Sequence, residues 1–217
     1  MNFLFSSLGK KIQIAFSGIL LCFFLLFHLL NNLTLFIGSE LFNSMVETLE
    51  SIKPIIRVME FSLLMIFIIH IFNGIQLSIA NKKASLSKTV DTSSSSINSR
   101  TMIVTGTTIL VFIIIHLRYL WYTYQAHAFF DNETYYDVIL RNQWGFLGHT
   151  PTAVFYIISI ALIGFHLKHG FQSALKTFGL SPKSRWKALY GISFIFWGVI
   201  PLLFIVIVLA IQIGLIS

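Results

Sequence analysis

The strongest constraint on the fold is a series of apolar stretches, each about as long as a membrane is thick. Five of them run over residues 12–37, 55–80, 101–125, 152–176 and 188–214. An α-helix rises about 1.5 Å per residue, so about 20 apolar residues cross roughly 30 Å of hydrocarbon. The sequence therefore predicts an all-α integral membrane bundle of five transmembrane helices, forming one domain over residues 1–217.

The composition agrees with this interpretation and excludes a soluble globular protein. Hydrophobic residues make up 56% of the chain and charged residues only 11%. The net charge is +7, but the basic residues are spread over short connections and form no compact patch for nucleic acid. The single cysteine, Cys22, allows no internal disulfide, no cysteine zinc cluster and no covalent haem attachment. The first apolar stretch is too long for an ordinary cleavable leader and lacks an obvious cleavage site, so we expect it to be retained.

The charges between the stretches predict an orientation. The N-terminal segment and the second and fourth connections are basic, with Lys10, Lys11, Lys82, Lys83, Lys88, Arg100, Lys176, Lys183, Arg185 and Lys187. The first and third connections are mainly acidic, with Glu40, Glu47, Glu50, Asp131, Glu133 and Asp137. Because basic loops stay inside, we expect a cytoplasmic N-terminus and an external C-terminus.

Two connections differ in character. The segment from Ala84 to Ser99 is rich in serine and almost free of apolar residues, which predicts a flexible connection without a site of its own. The connection from Trp121 to Thr150 is long and aromatic. Its rings are expected mostly at the membrane interface, although some could cap a cavity on the outer face.

Four histidines lie inside the predicted helices, where an imidazole is costly unless it bonds something. From the rise per residue, His28 lies roughly 24 Å from the cytoplasmic side, and His116 at nearly the same level. By the same measure His70 and His166 lie roughly 21–22 Å from the outer side. The histidines therefore form two levels, and two histidines at one level on different helices suit the axial positions of a haem iron.

Other interpretations of these histidines stay open. Each could make a structural hydrogen bond instead of binding a metal. Gly74 and Gly170, four residues after His70 and His166, could leave room for a flat macrocycle or simply allow close helix packing. A single tetrahedral zinc site fits poorly, because the two levels are too far apart.

The remaining histidines and one acid also need assignment. His169 nearly shares a helix face with His166 and is a rival ligand, whereas His127 and His149 are expected to be solvated loop residues. Glu50 precedes the second helix near the outer level, where a quinone could exchange protons with it. By position alone, however, Glu50 is more simply an ordinary loop glutamate.

Several short motifs are similar to those of one known family. They are Ser-Leu-Gly-Lys-Lys at 7–11, His28-Leu-Leu-Asn-Asn-Leu, Phe42-Asn43, the His70 helix, His116, and Phe165-His166 followed by Gly170, Ser173 and Phe178-Gly179-Leu180. In order and spacing the chain resembles the cytochrome b membrane-anchor subunit of succinate dehydrogenase and fumarate reductase, in its five-helix, two-haem branch. The resemblance covers nearly the whole chain, although the serine-rich and aromatic connections depart from the family pattern.

The resemblance implies two haem b groups, an outer one bound by His28 and His116 and an inner one bound by His70 and His166. It places His166, rather than His169, at the ligand position, and Glu50 where the family has an acid associated with quinone chemistry. It also implies two partners, a flavoprotein with covalent FAD that handles succinate and fumarate, and an iron–sulfur protein. Electrons would pass from the iron–sulfur protein through the inner and then the outer haem to a quinone, with menaquinone expected.

Two other functions stay possible from the sequence. One is a dihaem subunit of another quinone-linked enzyme, such as a formate dehydrogenase or a hydrogenase. The other is a haem-free transporter whose buried histidines relay protons. The direction of succinate chemistry, the quinone and the oligomeric state are not determined by the sequence.

Overall fold

The structure, a computed structural model, describes residues 3–86, 93–180 and 187–217. The described residues contain no strand, which agrees with the predicted all-α class. The α-helices are α1 (Ser7–Leu33), α2 (Ser39–Ser51), α3 (Lys53–Leu86), α4 (Ser93–His116), α5 (Tyr122–Gln125), α6 (Tyr135–Leu140), α7 (Thr150–Thr177), α8 (Lys187–Phe194) and α9 (Ile200–Gln212).

Five helical segments among the described residues are long and apolar enough to cross a membrane. They are Ser7–Phe36, Lys53–Lys83, Thr101–Gln125, Thr150–Thr177 and Leu189–Gln212. The predicted multi-pass membrane protein is confirmed, with small shifts at the helix ends. The first segment begins at Ser7 because the Ser6 hydroxyl accepts the backbone N–H of Gly9 at 3.0 Å and caps the helix before its two lysines.

Two of the crossing segments contain π-helical turns. Leu117–Trp121 joins α4 to α5, and Ile195–Val199 joins α8 to α9, so each segment crosses as one continuous helix. Such turns insert a residue into the α-helical hydrogen-bond ladder and are frequent at functional sites. The first of them begins directly after His116, the last residue of α4.

Helix α7 lies at the centre of the bundle. It packs against α1, α4 and α9, while α3 packs against α1 and α4. Apolar side chains such as Leu29, Ile160 and Ile200 fill the interior, together with small polar residues such as Ser17 and Ser159. Small residues at helix contacts are expected in a membrane, because lipid provides no hydrophobic force that pushes helices together.

The two ends of the bundle differ in what they carry. The basic end is the end where α1 begins and α3 and α7 finish, with Lys10, Lys82 and Lys176. The cap end carries α2 and α6, which pack together through the Phe42 and Tyr136 rings at 6.1 Å. Which end faces the cytoplasm stays a prediction from the charges.

The aromatic connection between the third and fourth crossing segments folds into a cap. Thr134 and Asp137 form a capping box at the start of α6, and Glu133 pairs with Arg141, both side chains being 9% exposed. The Arg141 guanidinium lowers the pKa of Glu133 by donating hydrogen bonds to its carboxylate. The charged pair therefore holds the two ends of the short α6 region together.

The rings of this connection divide between buried and exposed positions, and a place at the membrane interface stays a prediction for the exposed ones. Tyr136 and Phe146 are buried in the cap, where Phe146 also packs beside Arg141. Phe130 and Trp144 are exposed, as expected for rings at a membrane interface. The cap is thus a packed unit and not an unstructured loop.

Two connections are more helical than the sequence analysis expected. Residues 39–51 form α2, because Phe42 and Val46 recur at helical spacing and pack inward. In the serine-rich segment, α3 continues to Leu86 and α4 begins at Ser93, since serine is favourable where a helix starts. The prediction of a fully flexible connection there is therefore wrong, and its middle part, residues 87–92, lies outside the described residues.

Candidate functional site

The structure brings His28 of α1 together with His116 of α4, and we call them the cap-side pair. Their ring centroids are 5.7 Å apart and the ring planes are perpendicular. His28 is stacked on Phe24 and packs against Phe204, with centroids 5.6 Å away in both cases. The Tyr156 hydroxyl lies 3.4 Å from Nδ1 of His116, which is long for a hydrogen bond. The surroundings of this pair are mainly aromatic.

The structure also brings together His70 of α3 and His166 of α7, which we call the basic-side pair. Their ring centroids are 6.4 Å apart, with the planes at 64°. Nδ1 of His70 lies 3.1 Å from Ser17 Oγ on α1, and Nδ1 of His166 lies 3.1 Å from Thr105 Oγ1 on α4. Each ring of this pair therefore has a hydroxyl partner on a neighbouring helix.

Glycines lie directly beside the rings of the basic-side pair. A Cβ atom at Gly18 would meet Cε1 of His70 at 3.3 Å, and one at Gly106 would meet Cε1 of His166 at 3.5 Å. At Gly74, one of the glycines that the sequence analysis selected, a Cβ would meet nothing within 4 Å, so close helix packing does not explain it. The glycines that contact the imidazoles are on α1 and α4 instead.

The separation of the rings in both pairs agrees with that of two imidazoles that bind one metal ion from opposite sides. A metal ion about 2 Å from one nitrogen of each imidazole separates the ring centroids by about 6 Å. The observed 5.7 and 6.4 Å are close to this separation. No cluster of three or more His, Cys, Asp or Glu side chains that could hold a metal ion occurs among the residues that the structure describes. Two imidazoles are too few for a zinc site but are the number that haem takes, since the porphyrin supplies the other four ligands.

The remaining histidines have other neighbours. His169 donates from Nδ1 to the carbonyl of Phe165 at 3.1 Å, whereas it is His166 that contacts His70. His127 is exposed, as expected. His149 lies in the connection before α7 and is partly exposed, and its Nδ1 lies 3.0 Å from Thr152 Oγ1.

Glu50 lies at the end of α2, at the cap end of the bundle. Its carboxylate accepts a hydrogen bond from Lys53 Nζ at 2.6 Å, and its side chain is 26% exposed. Tyr135 of the cap lies close to it: burial, and next the Glu50 carboxylate, raises the pKa of Tyr135. The structure thus groups Glu50 with Lys53 and Tyr135 at the cap end of the bundle.

A second acid, Glu60, was missed by the sequence analysis although it lies within a crossing segment. Trp121 donates from its indole nitrogen to Glu60 at 2.8 Å, and Arg57 donates to the other carboxylate oxygen at 2.7 Å. Arg57 also donates to Gln125. The sequence does contain an indication of this acid, because Arg57 lies one helical turn before Glu60. Oppositely charged residues at this spacing can pair, and paired charges are tolerated in a membrane helix better than single ones.

Sequence reasoning also missed the hydroxyl partners, although they leave a signal in the sequence. Ser17-Gly18 precedes His28 on α1 by the same spacing, eleven residues from hydroxyl to histidine, as Thr105-Gly106 precedes His116 on α4. Eleven residues are close to three turns of helix, so the hydroxyl residue and the histidine share a face of each helix. Helices α1 and α4 therefore each supply one histidine to the cap-side pair and one hydroxyl to the basic-side pair.

Comparison with known proteins gives one match. A family model described as the succinate dehydrogenase/fumarate reductase transmembrane subunit matches residues 12–97, which include His28, Glu50 and His70 and end before His116. No curated protein and no solved structure matches the chain. With the five apolar helices, this match supports a relationship of the chain to that family of membrane subunits.

Proposed function

We propose that this chain is the dihaem cytochrome b subunit that anchors a succinate:quinone oxidoreductase to the membrane. The observation that carries the proposal is the pairing of four histidines, from four different helices, at two levels of one bundle. The match of the first part of the chain to the family of transmembrane subunits supports the same function.

In this proposal His28 and His116 hold one haem b, and His70 and His166 hold the other. When bound, the haems supply one-electron transfer along the bundle between the iron–sulfur partner and the quinone. The chain's own residues orient the imidazoles and exclude water from them. Phe24 and Phe204 do this on the cap side, whereas Ser17 and Thr105 contact the rings on the basic side.

The distribution of charge supports an orientation and a place for the partners. The basic end faces the cytoplasm by the positive-inside rule, in the cytoplasmic membrane of a bacterium. The flavoprotein subunit with covalent FAD and the iron–sulfur subunit then bind at the basic end, and succinate chemistry takes place on the flavoprotein. The quinone, menaquinone in this proposal, reacts at the cap end, so the basic-side pair is the inner one.

Glu50 is proposed to exchange protons with the quinone. It lies at the cap end beside Lys53, whose ammonium holds the carboxylate in place. Glu50→Gln is expected to slow quinone turnover about 100-fold, the usual contribution of a proton-transfer group, without changing haem content. Glu47→Gln, an exposed glutamate on the same helix, is the matched control. Equal rates in the two variants would exclude Glu50 from the proton path.

The proposed function is tested by a reduced-minus-oxidised spectrum of the purified protein, together with its haem content. A b-type α-band and about two haems per chain are expected. A spectrum without this band would exclude the haem function and favour the proton-coupled transporter. Copurification of a flavin-containing subunit is expected as well, and its replacement by a molybdenum- or nickel-containing subunit would favour a formate dehydrogenase or a hydrogenase.

A further inference from the structure

We propose that Ser17 and Thr105 are positioning residues that set the tautomer and orientation of His70 and His166, and thereby tune the basic-side haem alone. This inference rests on the proposed function, because it concerns ligands of a haem. It assigns a role to two residues that lie outside the pairs themselves, one on α1 and one on α4.

The direction of the two hydrogen bonds follows from the partners of each hydroxyl. The Ser17 hydroxyl donates to the carbonyl of Gln13 at 2.7 Å, and the Thr105 hydroxyl donates to the carbonyl of Thr101 at 2.8 Å. A hydroxyl has one proton, so the side that faces the imidazole presents a lone pair. Nδ1 of each histidine is therefore the donor, and carries the proton.

This tautomer leaves the other ring nitrogen free. A neutral imidazole protonated at Nδ1 has an unprotonated Nε2, which is the atom that binds a metal. Ligating histidines usually donate their second N–H in this way, which fixes the ring and raises its basicity. Ser17 is 4% exposed and Thr105 is 9% exposed, so bulk water does not compete for these bonds.

The glycines that follow the hydroxyl residues lie beside the rings. A Cβ at Gly18 would crowd Cε1 of His70 at 3.3 Å, and one at Gly106 would touch Cε1 of His166 at 3.5 Å, so each imidazole lies close to the helix backbone next to its hydroxyl. The same two-residue unit thus supplies an acceptor for the ring and the space for it. Its occurrence on both α1 and α4, at matching distances of 3.1 Å, argues against coincidence.

A purely structural role makes a different prediction. Serine and threonine in membrane helices often bond the carbonyl one turn earlier, with no further function. Both hydroxyls make that bond. In this alternative, removing them would change neither the tautomer of the histidines nor the midpoint potential of the haem. The cap-side pair provides the internal comparison, since the Tyr156 hydroxyl lies 3.4 Å from Nδ1 of His116, which is long for a hydrogen bond.

The test is a redox titration of purified wild-type protein and of Ser17→Ala and Thr105→Val. Loss of the acceptor makes the ligand less basic, which destabilises the oxidised haem and raises its midpoint potential. We expect the redox equilibrium of the basic-side haem to change about threefold, or about 28 mV at 59 mV per tenfold change. The cap-side haem should keep its potential, and its electron paramagnetic resonance signal should be unchanged while that of the basic-side haem moves.

Conservative variants and a control complete the design. Ser17→Thr and Thr105→Ser keep the hydroxyl and should retain the wild-type potential. Ser159→Ala removes a buried hydroxyl on α7 that has no hydrogen-bond partner among the described residues, and should also leave both potentials unchanged. If Ser17→Ala does not accumulate, Thr105→Val tests the same statement on the other ligand.

The outcomes separate this inference from the proposed function. Wild-type protein without two b-type haems would refute the function itself. Two haems with unchanged potentials in both hydroxyl variants would overturn the positioning role. An equal shift of both haems would overturn it too, because it would report a general change in the bundle.

Discussion

The two histidine pairs have similar geometry but different surroundings. Both join rings from two helices, with centroids 5.7 and 6.4 Å apart. The basic-side imidazoles are each held by a hydroxyl at 3.1 Å and lie against a glycine. The cap-side imidazoles are packed among rings, and in the described part of the chain the ring of His28 has no hydrogen bond. One pair is thus oriented by hydrogen bonds and the other by packing.

This difference shows how one bundle can provide two unlike sites from the same helices. Helices α1 and α4 each contribute a hydroxyl to the basic-side pair and, eleven residues later, a histidine to the cap-side pair. A rotation of either helix about its axis would therefore change the contacts of both pairs. Hydrogen bonds fix ring orientation and ligand basicity, whereas aromatic packing fixes position and excludes water. We therefore expect perturbations of one pair to leave the other largely intact, and the following predictions test this separation.

The largest effect is expected from removing a ligand. His166→Ala should lose the basic-side haem and retain the cap-side haem, because it removes the imidazole that faces His70 from α7. His169→Ala, three residues along the same helix, should retain both haems, since His169 bonds its own helix. The haem content per chain should fall from two to one in the first variant only. The reverse result would assign His169 as the ligand.

A smaller effect is expected from filling the space beside the basic-side pair. Gly18→Ala places a methyl group 3.3 Å from Cε1 of His70, so the ring or the helix must move. Overpacking of this kind costs about 1–3 kcal/mol, which corresponds to roughly 5- to 150-fold weaker haem binding. Gly106→Ala, at 3.5 Å from His166, should have less effect.

The control for this series is Gly191→Ala, on α8, where a Cβ would meet nothing within 4 Å. It makes the same change in helix propensity without touching a histidine. Haem retention during dilution, followed by absorbance, measures the result for each haem. Loss of the cap-side haem first in Gly18→Ala would show that the two pairs are not independent.

The cap should affect only the pair beneath it. Glu133→Gln removes the charge that pairs with Arg141 and is expected to cost about 2 kcal/mol of cap stability at pH 7. Because the pKa of Glu133 is lowered in the folded protein, this stabilisation is present above the unfolded value of about 4.3 and is lost as pH falls through the lower folded value. The difference between wild type and variant should therefore shrink in acid.

This prediction is measured by protease cleavage of the cap and by thermal loss of each haem. The variant should be cleaved faster at pH 7 and should release the cap-side haem at a lower temperature, with the basic-side haem unaffected. Glu47→Gln, an exposed glutamate of α2, is the control for loss of one negative charge. Equal sensitivity of the two variants would show that the ion pair does not hold the cap.

The smallest effect is expected from Tyr156→Phe. Its hydroxyl lies 3.4 Å from Nδ1 of His116, too far for a strong bond, so the cap-side redox equilibrium should change less than twofold, or about 18 mV. The aromatic contact with Phe112 would be kept. Tyr190→Phe, an exposed tyrosine of α8, is the control. A shift larger than that of Ser17→Ala would mean that both pairs are tuned by hydrogen bonds.

Much of the architecture follows from the sequence, because helix length and depth are local properties. The constant rise per residue converts the positions of His28 and His116 into one level and those of His70 and His166 into another. The side of the helix that each histidine presents, and the partner it finds there, depend on packing between distant segments. For this reason Ser17 and Thr105 were not identified, nor was the folding of residues 121–150 into a cap.

The sequence by itself determined that this is a five-helix membrane protein with two levels of buried histidines, because hydrophobic length and helical rise need no knowledge of neighbours. The sequence also contains a recognisable pattern for the residues that contact the basic-side pair. On α1 and on α4, a hydroxyl residue and a glycine lie eleven and ten positions before a histidine. Only the tertiary structure decided that the two histidines of each level touch and which of them have a hydrogen-bond partner, since both depend on how α1, α3, α4 and α7 rotate against one another. A hydroxyl on one helix and an imidazole on another become a pair only when packing brings them within 3.1 Å.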